Sequence, residues 1–80
     1  MYPKIKNIKI ADNYILMVEF DNDIQKKYDF KTKFQDAIFK DLRNPILFNQ
    51  AKIDPGGYGI SWNDDIDISE YELWKNGVAI

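Results

Sequence analysis

The stretch Tyr14-Ile-Leu-Met-Val-Glu-Phe20 constrains the fold more than any other part of the chain. It is crowded with β-branched, aromatic and long apolar side chains, carries no helix cap, and places Leu16, Val18 and Phe20 at every second position, the period of a strand. Ile15 and Met17 share the opposite face with Glu19, so that face is expected to be covered only in part. Asp21-Asn22-Asp23 follows, of residue types that tolerate left-handed backbone angles, and then Ile24, Lys26, Tyr28 and Phe30 alternate again. The pattern predicts a β-hairpin whose Leu16, Val18, Phe20, Tyr28 and Phe30, joined by Trp62, form one core face.

Upstream, Ile8 and Ile10 alternate with Lys9 while Ile5 falls on the other parity, which predicts a first strand bulged near Asn7. Downstream, Thr32-Lys-Phe-Gln35 matches a capping box, and Phe34, Ile38, Phe39 and Leu42 fall at helical spacing, so a helix is expected over about 33–42, ended at Asn44-Pro45. Ile46 to Ile53 is mixed, a helical turn followed by a strand. Asp54-Pro-Gly-Gly57 has turn composition and Tyr58-Gly-Ile-Ser-Trp62 strand alternation, which predicts a hairpin with strands near 50–54 and 58–62. Asn63-Asp64-Asp65 makes the next turn, and Ser69-Glu-Tyr-Glu72 is a second capping box leading into Leu73 and Trp74, with Gly77 at the helix end. The expectation is one α+β domain over residues 1–80, order β-β-β-α-β-β-α, mostly antiparallel hairpins packed with two short helices.

Eighty residues, 45% hydrophobic and 15% aromatic, suffice for one core but not for a deep, many-walled site. The chain has no histidine and no cysteine. That removes the commonest general base, the commonest transition-metal ligand, thiolate nucleophiles and disulfides. The longest apolar run, Tyr14 to Val18, is far below a membrane span, and Met-Tyr-Pro-Lys lacks the apolar core of a signal peptide, so the cytoplasm is the expected location. A net charge of -2 argues against affinity for nucleic acid. The charge is uneven: residues 1–33 hold seven lysines against five acids, residues 34–80 four basic residues against eight acids.

Four clusters are candidate sites. Asn63-Asp64-Asp65-Ile66-Asp67 with Glu70 and Glu72 has carboxylates at alternate positions, yet a calcium loop beginning at Asp65 would meet Glu70 where glycine is needed and Asn76 where a bidentate glutamate is needed. An acidic turn leading to an N-cap at Ser69 fits better. Asp54-Pro-Gly-Gly-Tyr-Gly59 is glycine-rich like a phosphate loop but lacks the following Lys-Ser/Thr, which leaves a hairpin turn. Tyr58, Trp62, Tyr71 and Trp74 are aromatic types suited either to a core or to a partner surface. The lysines at 4, 6, 9, 26, 27, 31 and 33, near Tyr14 and Tyr28, resemble a nucleic-acid platform in composition, but Lys9, Lys26 and Lys27 do not share a strand parity and suit a solvated sheet face.

Taken in order, Pro3-Lys-Ile5, Leu16-Met-Val-Glu-Phe20, Tyr28-Asp-Phe30, Leu47-Phe48, Gly59-Ile-Ser-Trp62, Asp67-Ile68 and Glu72-Leu73 with Gly77 resemble the small bacterial proteins grouped as domain of unknown function 2442. Where many relatives carry Asn-Gly in the first hairpin, this chain has Asn22-Asp23. The resemblance implies a small α+β fold and, for a number of relatives, a gene beside that of another small protein in a toxin–antitoxin pair, a role inferred from gene neighbourhood. It implies no catalytic residues and no cofactor.

The expected function is therefore a non-catalytic protein-binding module, an antitoxin acting by direct contact on a small, basic toxin from an adjacent gene, with homo-oligomers also open. The acidic C-terminal half is the expected docking surface, with Asp64, Asp65, Glu70, Tyr71, Glu72 and Trp74 as its contact residues. The alternative is a small-ligand or nucleic-acid-binding domain. No metal site is expected.

Overall fold

Among the described residues, 2–80, the computed structural model holds seven strands and two α-helices in two antiparallel sheets. The first sheet is built from β1 (Ile5–Ala11), β2 (Ile15–Phe20), β3 (Gln25–Asp29) and, last in sequence, β7 (Val78–Ala79), in the order β1-β2-β3-β7. The second holds β4 (Lys52–Ile53), β5 (Gly59–Asn63) and β6 (Ile66–Ser69) in sequence order. Helix α1 covers Pro45–Phe48 and α2 covers Glu70–Asn76.

The expected β2–β3 hairpin forms. Leu16 faces Tyr28 and Val18 faces Lys26 across the ladder, and Leu16, Val18, Phe20, Tyr28, Phe30 and Trp62 are all buried in one cluster with Ile60, Ile66, Ile68 and Leu73. Each such side chain contributes roughly 1.5–3 kcal/mol by leaving water. The bulge in β1 is present as well: Ile5 pairs with Phe20 and Asn7 with Glu19, so one extra residue, Lys6, returns Ile5 to the buried face used by Ile8 and Ile10. A second bulge, at Trp62, interrupts β5 between the pairs Ser61–Asp67 and Asn63–Ile66. The Trp62 indole N–H then donates to the Phe48 carbonyl at 3.0 Å and joins α1 to the second sheet.

Several expectations are corrected. Residues 33–42 do not form an α-helix. They run through 3-10 turns at Phe30–Lys33 and Lys40–Arg43, with i to i+3 bonds such as Asp36 N–H to Lys33 and Phe39 N–H to Asp36, both 3.0 Å. Thr32, the expected cap, instead donates its hydroxyl to the Asp29 carbonyl. Tertiary contacts override the local pattern: Tyr14 packs edge-on to Phe34 at 5.0 Å and donates its hydroxyl to the Arg43 carbonyl, while Leu42 is fully buried. Ile38, assigned to the same stripe, is 50% exposed.

Pro45 begins a helix instead of ending one, since Asn44 caps α1 by accepting from the Ile46 N–H at 2.9 Å and proline suits the first helical position. Tyr14 lies in the β1–β2 turn with Asn13, both at positive φ, and not in β2. Ile66–Ser69 is a full strand, and Val78–Ala79 extends the first sheet beyond α2, so two strands join the expected order. At α2 the expectation holds, with Ser69 Oγ accepting from the Glu72 N–H at 3.1 Å.

Candidate partner-binding surface

Three glycines shape the loop that presents Tyr58. Gly56 and Gly57 both have φ near +77 and +76, in the left-handed region that β-carbon-bearing residues avoid. A β-carbon on Gly56 would fall 2.7 Å from the Tyr58 ring, and one on Gly57 would fall 2.5 Å from the Ile5 carbonyl oxygen. Gly59 meets the Ile68 carbonyl in the same way, at 2.6 Å. The loop is thus pressed against β1 and β6, and the Tyr58 ring packs on Gly56 with 60% of the residue in solvent. This is a hairpin turn that aims a tyrosine. Asp54 closes it, accepting the Ser61 hydroxyl at 2.6 Å and the Gly57 N–H at its carbonyl.

Tyr58 is one part of a contiguous aromatic surface. Its carbonyl accepts the Glu70 N–H at 3.0 Å, which sets the start of α2 beside it. Lys4 bridges the gap: its Nζ lies 4.5 Å from the Tyr58 ring centre, 3.2 Å from Glu70 Oε1 and 3.5 Å from the Tyr2 carbonyl. Tyr2 packs on Tyr71 with ring centres 4.6 Å apart, and Lys75 Nζ sits 5.4 Å from the Tyr71 ring centre. Tyr2 and Tyr71 remain 45% and 37% exposed. Tyrosine supplies large contact area with few torsions to freeze, and rings already fixed by neighbours lose less entropy on binding.

The six sequence-derived contact residues divide between two places. Glu70, Tyr71, Glu72 and Trp74 lie on α2, whereas Asp64 and Asp65 lie in the β5–β6 turn. Glu70 and Tyr71 belong to the tyrosine surface. Glu72 turns towards the protein: its Oε2 accepts from the Tyr28 hydroxyl at 2.9 Å and from Asn76 at 2.8 Å, with Lys33 Nζ at 3.5 Å. Burial pulls the Glu72 carboxyl upward, but these donors and the lysine charge outweigh it and leave its pKa below the ordinary glutamate value. Burial, followed by the bond and charge of Glu72, holds the Tyr28 phenol above its ordinary value. Trp74 is half-buried edge-on against Phe20 at 5.1 Å, with Lys26 Nζ 3.9 Å over its ring and donating to its carbonyl. Tyr2 and Lys4 were absent from the sequence-derived set, because nothing in the sequence ties residue 2 to residue 71.

At the β5–β6 turn, Asn63 Oδ1 accepts the N–H groups of Asp65 and Ile66, both at 2.9 Å, so the turn is held by asparagine. The carboxylates of Asp64, Asp65 and Asp67 stay exposed, and among the described residues none takes part in an ion pair. Asp64 and Asp67 border a shallow depression with Lys52, Ser61 and Trp62. Among the described residues no three Asp or Glu side chains gather as a metal site, and no helix is long and apolar enough to cross a membrane.

The lysines of the first sheet divide as their parity requires. Lys9 and Lys27 flank Met17 in one outward row, while Lys26 faces the core side with Val18 and reaches Trp74. Tyr28, in the row beside them, is buried and offers no stacking face.

The family model of proteins of unknown function, DUF2442, matches residues 5–79. Neither a curated protein nor a solved structure matches the chain. The chain belongs to the DUF2442 family.

Proposed function

We propose that this member of the family is a non-catalytic protein-binding module that anchors a small protein partner on Tyr2, Tyr58 and Tyr71. The observation that carries this reading is their contiguity: three exposed rings, from the N-terminal segment, a glycine-shaped loop and α2, held side by side by the packing of Tyr2 on Tyr71 and by the Glu70 N–H bond to the Tyr58 carbonyl. Tyrosine anchors in a fixed setting are where binding energy concentrates at protein interfaces. Asp64, Asp65 and Asp67, exposed and without an ion pair among the described residues, add a negative field suited to steering a basic partner towards the surface. In bacterial cytoplasm, with a toxin encoded by the adjacent gene, the module acts as an antitoxin that neutralises by direct contact.

The test is association of the tagged chain with the purified product of the adjacent gene, measured for the parent, Tyr58→Ala and Tyr71→Ala. Each substitution is expected to weaken binding by about tenfold or more, the cost of a central anchor. Binding unaffected by both substitutions would remove the tyrosine surface from the interface.

A further inference from the structure

Lys4 already sits where an incoming cation would be recognised. Its ammonium touches a π face, a carboxylate and a backbone carbonyl at once: Tyr58 at 4.5 Å, Glu70 Oε1 at 3.2 Å and the Tyr2 carbonyl at 3.5 Å. The carboxylate is well shielded, with the Glu70 side chain only 13% exposed, while the Tyr58 ring is open to solvent. Aromatic faces with a nearby carboxylate form the chemical environment in which proteins hold ammonium and guanidinium groups. A second lysine, Lys75, covers the Tyr71 face, so two of the three tyrosines are each capped by a cation of the chain itself.

We infer that Tyr58, Glu70 and the Tyr2 carbonyl form a cation cage in which Lys4 is an internal stand-in, displaced by an arginine of the partner. This rests on the tyrosine surface being the interface and names what that surface takes. Arginine fits better than lysine for a geometric reason. A guanidinium is planar, stacks on a tyrosine face, and can engage both oxygens of the Glu70 carboxylate, where Lys4 engages Oε1 through a single ammonium. Displacement exchanges one cation for another, so the shielded Glu70 is never left unpaired, and Lys4 carries a compact, strongly hydrated charge on a flexible stem that can return to water. An occupied cage also suppresses weak encounters, since the apparent dissociation constant rises by the inverse of the fraction of molecules in which the site is open.

The test is a titration with the tripeptide acetyl-Gly-Arg-Gly-amide, followed by amide shifts in nitrogen-15 spectra, with the neutral isostere acetyl-Gly-citrulline-Gly-amide as control. Shifts should concentrate at Tyr58, Glu70 and Tyr71 and be absent with citrulline. Lys4→Met, which leaves the cage empty, should bind the arginine tripeptide about three- to tenfold more tightly, the gain expected if Lys4 fills the site most of the time. Adding Glu70→Gln to Lys4→Met should remove that binding. A cooperative melt of each variant confirms that the surface is folded. Unchanged or weaker binding by Lys4→Met, or shifts centred on Asp64 and Asp65 in place of the cage, would overturn the proposal. If Tyr58→Ala also loses the protein partner while Lys4→Met gains nothing for the tripeptide, the cage falls and the tyrosine surface stands.

Discussion

The acids of α2 and those of the β5–β6 turn belong to the same acidic half of the chain, yet the fold gives them opposite tasks. Glu70 and Glu72 are engaged within the molecule, the first by Lys4 and the second by Tyr28, Asn76 and Lys33. Asp64, Asp65 and Asp67 are exposed and free of ion pairs among the described residues. A carboxylate held by fixed donors, several at Glu72 and one at Glu70, acts through close contacts, whereas an unpaired one contributes mainly to the long-range field. Charge counted along a sequence cannot separate the two, because Lys4 lies 66 residues from Glu70 and Tyr28 44 residues from Glu72.

The largest effect should come from the core that both acidic regions share. Val18→Asp places a carboxylate between the fully buried Leu16 and Phe20, opposite a Lys26 already engaged at Trp74, and costs on the order of 4 kcal/mol or more, a large share of the stability of a domain this size. Thermal unfolding should lose its cooperative transition, and a melt near the parent temperature would show the register of β2 to be wrong.

Gly57→Ala comes next, because it strains a left-handed position and drives a methyl into the Ile5 carbonyl. A loss of about 1–3 kcal/mol is expected by denaturant titration. Partner binding should fall with it, as Tyr58 moves off Gly56. An alanine variant with parent stability would mean that the loop does not lean on β1.

Glu72→Gln sharpens the contrast between structural and free acids, at about 1 kcal/mol for a partly exposed, charge-assisted network. Its pH dependence follows from the lowered pKa in the folded protein. The contribution is fully present above the unfolded glutamate value near 4.3 and is lost as the pH falls through the lower folded value. The parent should therefore lose this increment on acidification below about pH 4, and the glutamine variant should not. Parallel stability curves for the two proteins would contradict the network. Asp64→Asn with Asp65→Asn should change stability least, by no more than about 0.5 kcal/mol.

Much of this architecture is legible in the sequence because the signals are local. The Leu16/Val18/Phe20 alternation, the Asn22-Asp23 turn, the phase slip that marks the β1 bulge and the Ser69 cap each report on neighbours a few residues away. What is illegible depends on distant partners. The helical stripe of residues 34–42 is real as a pattern, but Tyr14, 29 residues from Arg43, holds that segment in turns. Val78–Ala79 is too short to read as a strand until Lys26 and Lys27 are beside it. Within the candidate site, Tyr58 and Tyr71 could be recognised by residue type, whereas the place of Tyr2 and Lys4 beside them is a product of the fold.

The separation of anchor from steering charge is tested most directly by comparing association and dissociation rates with the partner for Tyr58→Ala and for Asp64→Asn/Asp65→Asn, at low and high salt. The account predicts that Tyr58→Ala speeds dissociation about tenfold or more and leaves association nearly unchanged. The double aspartate variant should slow association at low salt, and the difference should shrink as salt screens exposed charge over roughly 8 Å at physiological ionic strength. The reverse pattern, with dissociation governed by Asp64 and Asp65 and unaffected at Tyr58, would place the anchor on the β5–β6 turn and contradict the account.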